Sequence, residues 1–200
     1  MTWTIPNILT VLRLLAAPGT AVMFLYFNRP WADWFALVLF LGAAITDFFD
    51  GYLARLWKQE SKFGAMLDPI ADKAMVVIAL LVITGFSGMN PWMLLPSTLI
   101  MFREVFISGL REFLGSASKT LSVTRLAKWK TTAQMVAIAV LFGSGVGTVD
   151  DPLNLHLKPA GIDLIFTVGL ILLWIAAGLT LITGWDYFKK ALPYLRDDPK

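Results

Sequence analysis

The chain has 200 residues, of which 57% are hydrophobic and 16% charged, with a formal net charge of +3. Soluble domains carry about 25% charged residues, so this composition points to lipid and excludes a disordered chain. The absence of cysteine excludes a disulfide framework, thiolate catalysis and cysteine-bound zinc or iron–sulfur clusters, and the single His156 excludes a paired-histidine or His-rich metal site.

A transmembrane helix needs about 20 mostly apolar residues to cross a hydrocarbon core of about 30 Å. The first such stretch runs from Leu14 to Phe27, after a short interfacial segment around Trp3 to Leu9, and ends before Asn28-Arg29-Pro30. Its start lacks a basic region and Arg13 interrupts the apolar run, so it reads as a retained helix rather than a cleaved signal peptide. The second, Ala32 to Ile45, continues through Asp47 and Asp50 to Trp57, and the third is Ala74 to Phe86, reaching back through Asp72. The fourth covers Pro91 to Phe106, the fifth Thr132 to Phe142 and the sixth Ile162 to Ile182. The third and fifth apolar runs are too short by themselves. They span only if their polar inner ends are helical and face a protein-lined cavity.

The prediction is a single all-α domain over residues 1–200, an integral membrane bundle of six transmembrane helices with a short N-terminal interfacial segment. The stretch from Gly143 to Pro159, with His156 in it, reads as an outward loop. Its Gly143-Ser-Gly-Val-Gly147 is not a phosphate loop, because no Lys-Ser/Thr follows it. Six spans put both termini on one side. Of the 17 Lys and Arg residues, only Arg29 and Lys158 fall on the other side, leaving 15 on the side of the termini. Basic residues are retained on the cytoplasmic side, so the termini are expected there, in an inner (cytoplasmic) membrane. Tryptophans fall near the proposed helix ends, where amphipathic rings prefer to sit, except Trp174. This distribution is that of a membrane protein and gives no support to a nucleic-acid partner.

The informative feature is acidic. Asp47 and Asp50 are spaced i, i+3, and Asp68 and Asp72 are spaced i, i+4, so on helices each pair projects from one face. The two helices run antiparallel through the Lys58-to-Lys62 turn, which places both pairs at similar depth near the cytoplasmic end. A charge at bilayer depth costs at least about 2.5–3.5 kcal/mol. Four together repel one another unless cations neutralise them, and all-oxygen ligation suits Mg²⁺ or Mn²⁺. Other readings compete: Asp68-Pro69 also fits a helix N-cap followed by proline, and Asp47 or Asp50 also suits an ion pair with Arg55. Gly51 and Ala54 share the face of Asp47 and Asp50, and small residues there let a ligand, or another helix, approach the backbone. Arg55 adds a positive fork suited to a phosphate.

The string Asp47-x2-Asp50-Gly51-x2-Ala54-Arg55-x8-Gly64-x3-Asp68-x3-Asp72 resembles, at every position, the signature of the CDP-alcohol phosphatidyltransferase family. Ile5-Pro6-Asn7-Ile8-Leu9-Thr10 through Arg13, Arg103-Glu104-Val-Phe-Ile-Ser-Gly-Leu-Arg111-Glu112, Lys128-Trp-Lys130-Thr131-Thr-Ala-Gln134 and Gly184-Trp-Asp-Tyr187 are similar to its bacterial branch that uses glycerol 3-phosphate. The resemblance implies six transmembrane helices, a cytoplasm-facing polar cavity, a homodimer, and transfer of a phosphatidyl group from CDP-diacylglycerol to an alcohol with release of CMP. It further implies that Asp47, Asp50, Asp68 and Asp72 hold two Mg²⁺ or Mn²⁺ ions. Asp72 then acts as general base, and Asp47, Gly51, Ala54, Arg55 and Gly64 line the CDP site.

An acceptor carrying its own phosphate needs cationic ligands, and Arg103, Arg111, Lys128 and Lys130 cluster at the inner ends of the fourth and fifth spans. The same residues also serve positive-inside topology and anionic-lipid contact. Arg103 interrupts an apolar stretch and so lies deeper than topology requires. Two rivals stand beside this reading: another acceptor, such as inositol phosphate or phosphatidylglycerol, and a divalent-cation transporter. Against transport, all four acids sit at one end of the spans.

Overall fold

A computed structural model describes residues 4–56, 61–119, 125–146 and 164–195. Six helices follow one another: α1 (Ile5–Tyr26), α2 (Trp31–Leu56), α3 (Lys62–Phe86), α4 (Pro91–Leu114), α5 (Arg125–Val146) and α6 (Leu164–Leu195), with a short 3-10 turn at Gly115–Lys119. No strand occurs among the described residues. The all-α prediction therefore holds. The shortest helices have 22 residues, about 33 Å at 1.5 Å per residue, so each is long enough to cross a bilayer core of about 30 Å. Three of them, α1, α4 and α6, are also apolar enough to do so.

Local sequence explains where the helices start. Thr4 caps α1, its side chain accepting from the Asn7 backbone N–H, and proline lies in the first turn. The stretch expected as an interfacial segment is thus continuous with α1 from Ile5 onward. Asn90 caps α4 in the same manner, accepting from the Trp92 N–H at 2.9 Å. Ser61 caps α3, accepting from the Gly64 N–H at 2.9 Å, and Pro69 lies inside the helix. Asp68 is consequently inside the helix, and its alternative reading as an N-cap falls because Ser61 provides the cap about two turns earlier.

The packing divides the bundle into two triplets. Helix α1 lies against α2 and α3, α6 lies against α4 and α5, and α2–α5, α3–α4 and α3–α5 contacts join the two. Small side chains line these seams: Ala17, Ala32, Ala36, Ala79, Ala137, Ala176 and Ala177 are all buried. Alanine lets helix backbones approach closely, which matters where lipid supplies no hydrophobic drive between helices. Phe24, Phe40 and Phe142 fill the middle, with ring centroids 6.1 Å (Phe24–Phe142) and 6.0 Å (Phe40–Phe142) apart.

The distribution of polarity is inverted relative to a soluble domain. Leu15, Leu25, Val38, Leu81, Val105 and Phe113 are exposed, whereas Asn7, Arg13, Asp33, Lys130 and Gln134 are buried. Exposed apolar area on that scale marks a lipid-facing surface. The mid-span Trp174 satisfies its indole by donating to the Trp92 carbonyl of α4 at 3.0 Å. Near the end opposite the chain's start, Arg29 grips the fully buried Asp33 through two hydrogen bonds of 2.9 Å.

Candidate active site

One face of α1 builds the first half of the site. Asn7, Thr10 and Arg13 recur every three residues, so they share a face, and all three are buried against α2 and α3. Thr10 donates its hydroxyl to Asp68 Oδ1 at 2.9 Å. Ser61 donates to Asn7 Oδ1 at 2.8 Å while accepting from the Gly64 N–H. Gly64 is closely covered: a Cβ on it would stand 2.7 Å from Asn7 Oδ1, so a side chain here would push the Asn7 amide aside. Arg13, counted among the inward basic residues, does far more than mark topology. Its Nη1 donates to Asp47 of α2 and, at 2.9 Å, to Asp72 of α3.

The geometry around Arg13 is asymmetric. Its side chain is 2% exposed, whereas those of Asp47 and Asp72 are 49% and 53% exposed. The cation is thus sealed behind the two carboxylates, whose outer sides face open space. Two carboxylates from different helices converging on one cationic nitrogen form an oxygen-rich donor pair, and Asp68 stands one turn from Asp72 on α3. Such a set fits a hard divalent cation. Among the described residues no group of three or more acidic or imidazole ligands converges on a single point. Asp50, Gly51, Ala54 and Arg55 continue α2 as helix, in the expected register, but their side chains lie outside the described residues.

The second half is a cavity of about 270 Å³ between α3, α4 and α5. Asp72 and Lys73 reach it from α3, Arg103, Glu104 and Arg111 from α4, and Lys130 from α5. Four cationic side chains against two acidic ones leave the lining positive, as an anion site requires. Glu104 organises the cations: Lys130 donates to Glu104 Oε1, and Arg103 Nη1 donates to the same oxygen at 3.2 Å. Lys73 donates to Ser108 of α4. Arg111 lies over the Tyr187 ring of α6, 5.1 Å from its centroid. Gln134 braces α5 to α6 with a buried 2.9 Å hydrogen bond to Thr180.

Of the basic residues singled out from sequence, Arg103, Arg111 and Lys130 thus meet in one cavity, and the side chain of Lys128 lies outside the described residues. The structure also brings in groups for which sequence reasoning had no role. Asn7, Thr10 and Arg13 stand in a string matched only as a whole, and the signal available was their i, i+3, i+6 spacing of polar residues along an apolar helix. Glu104 was hidden by its neighbour Arg103. Nothing in the sequence pairs Lys73 with Ser108, 35 residues away.

Comparison with known proteins identifies the family. The family model for CDP-alcohol phosphatidyltransferase matches residues 3–182. The chain is 66% identical over 220 aligned positions to a CDP-diacylglycerol–glycerol-3-phosphate 3-phosphatidyltransferase of Cereibacter sphaeroides, covering 99% of this chain and 100% of that one. A Rickettsia bellii protein of the same name is 42% identical over 190 positions, covering 95% of this chain and 96% of its own. One from Salmonella typhimurium is 40% identical over 176 positions, covering 87% and 91%. With a match over nearly its whole length, and with paired aspartates opening beside a basic cavity, the chain belongs to the CDP-alcohol phosphatidyltransferase family.

Proposed function

We propose that this protein transfers the phosphatidyl group of CDP-diacylglycerol to sn-glycerol 3-phosphate, releasing CMP and phosphatidylglycerophosphate. The observation that carries the reading is the position of Asp72. Among the described residues it is the one carboxylate that both pairs with Arg13 in the aspartate cluster and lines the basic cavity. A nucleophile bound in that cavity lies beside a base and beside the head-group site at once, which is the positioning a direct displacement needs.

In this reading the acceptor phosphate is held by Arg103, Arg111, Lys128 and Lys130. Asp72 accepts the proton of the acceptor hydroxyl on a carboxylate oxygen as that hydroxyl attacks the phosphatidyl phosphorus; the P–O bond to CMP breaks and CMP leaves with the electron pair. A carboxylate is a weak base by its ordinary pKa, but positioning compensates. Asp47, Gly51, Ala54, Arg55 and Gly64 line the CDP head group, with Asn7 packed closely on Gly64. Asp47, Asp50, Asp68 and Asp72 would hold two divalent ions, Mg²⁺ or Mn²⁺, which when bound supply neutralisation of the pyrophosphate charge. The asymmetry of the basic residues supports termini and site facing the cytoplasm from six crossings of the inner membrane. A homodimer is part of the same reading.

Among the rivals, cation transport is disfavoured by the apolar plug of Phe24, Phe40, Leu80 and Phe142, all buried beyond the aspartates. The test is purified protein with CDP-diacylglycerol and a panel of alcohols, reading CMP and the lipid product. Turnover with glycerol 3-phosphate well above that with inositol phosphate, serine or phosphatidylglycerol is expected. Preference for any other acceptor overturns the assignment.

A further inference from the structure

The motif Gly184-Trp-Asp-Tyr187 has no part in the reaction described above, yet α6 touches the basic cavity from behind at two of its four residues. A Cβ on Gly184 would stand 2.9 Å from Arg103 Cγ, 3.3 Å from its Nε and 3.7 Å from its Cδ. The Arg103 stem therefore lies directly on the helix backbone. Its Nε is buried with no hydrogen-bond partner among the described residues, so steric contact, not a bond at that atom, fixes the stem. In this position Nη1 donates to Glu104 Oε1 at 3.2 Å. Three residues on, and on the same face of α6, the Tyr187 ring carries the guanidinium of Arg111. The Tyr187 hydroxyl is buried and likewise has no partner among the described residues, so the ring face is what the arginine uses.

We propose that α6 is the template that aims both arginines of the acceptor pocket, Gly184 by giving Arg103 room against its backbone and Tyr187 by seating Arg111 on its ring. Both are positioning residues for recognition of a phosphate monoester on the acceptor. The inference rests on the reading of the basic cavity as the acceptor site.

The contact at Cγ lies near the root of the side chain, so a methyl group at 184 cannot be absorbed by a swing of the guanidinium alone. The whole stem must shift by several tenths of an ångström. A misplacement of about 1 Å at a reacting partner costs on the order of a hundredfold, so Gly184→Ala should raise the KM for glycerol 3-phosphate about tenfold while the KM for CDP-diacylglycerol holds. Tyr187→Phe should leave both values alone, and Tyr187→Leu should raise the glycerol 3-phosphate KM about two- to fivefold.

The deciding experiment is a double-mutant cycle of Gly184→Ala with Arg103→Ala, reading both KM values and thermal unfolding in detergent. Arg103→Ala removes Cγ and with it the clash, so on that background Gly184→Ala should change neither KM nor stability. If Gly184→Ala alone fails to fold, the pair should fold; a pair that also fails overturns the proposal. A Gly184→Ala effect that persists undiminished without Arg103, or that falls equally on both substrates, overturns it as well. If Arg103→Ala raises the glycerol 3-phosphate KM and Gly184→Ala does not, the template role is wrong and the acceptor site stands. If Arg103→Ala itself leaves that KM unchanged, the acceptor site is wrong.

Discussion

Replacing Arg13 with methionine removes one buried cation and leaves two carboxylates from different helices facing each other. Arg13 Nη1 donates to Asp47 and Asp72, and a hydrogen bond to a charged group is worth about 1.5–3 kcal/mol. Asp47 and Asp72 are half in water, so solvent screens both contacts and the lower end applies to each. Two contacts at about 1.5 kcal/mol, less the desolvation recovered when the buried guanidinium is gone, leave a loss of about 2 kcal/mol. For a chain of this length that lowers Tm by about 4–8 °C. The sharper expectation concerns metal. The variant's uncompensated carboxylates should take a divalent cation more readily than the wild-type pair, which already holds a positive charge. Millimolar Mn²⁺ should therefore raise the variant's Tm by more than the wild type's, through binding to the folded state alone. The assay is thermal unfolding in detergent with and without Mn²⁺. An unchanged Tm, or equal metal shifts in the two proteins, refutes the argument that Arg13 stands in for a cation at this site.

Asp72→Asn should abolish CMP release while Tm stays within a few degrees of the wild type, because the amide retains the shape that meets Arg13; turnover close to wild type removes Asp72 from the base role. Chelation with EDTA should stop CMP release and added Mg²⁺ or Mn²⁺ should restore it, whereas activity that survives chelation argues against ions at the aspartates. At the opposite end of the bundle, a Cβ on Gly145 would fall 2.0 Å from Asp33 Oδ1 and 3.0 Å from Arg29 Nη2. Gly145→Ala should therefore destabilise by about 1–3 kcal/mol in thermal unfolding while both KM values hold, and a neutral Tm would show that the Arg29–Asp33 pair moves freely.

The fold was legible from sequence because apolar runs of membrane length leave few alternatives. The boundaries were less so: Pro69 suggested a break that Ser61 and an uninterrupted α3 do not allow, and the inner ends of α4 and α6 extend well past Phe106 and Ile182 as helix. In the site, the aspartates stood out because acids are expensive in lipid. Their partner Arg13 did not, because a single arginine near an inner helix end carries the same signature as a topology signal. Glu104 raised a similar difficulty, since a carboxylate in a basic string looks like surface compensation until the structure sets it between Arg103 and Lys130. Contacts across long sequence distance, such as Gly184 against Arg103, leave no periodic trace at all.

Asp72 and Lys73 are adjacent in α3, yet one is tied to α1 and the other to α4. A single peptide step of about 3.8 Å thus spans the boundary between the triplet holding the aspartates and the triplet holding the cations. With the two substrates bound as proposed, this one helix would set the distance from nucleophile to phosphorus, like the jaw spacing of a vice with a common spindle. Because the cavity lies between α3 and the α4–α5 pair, substitutions in the alanine seams that rock one triplet against the other would disturb acceptor binding and transfer together.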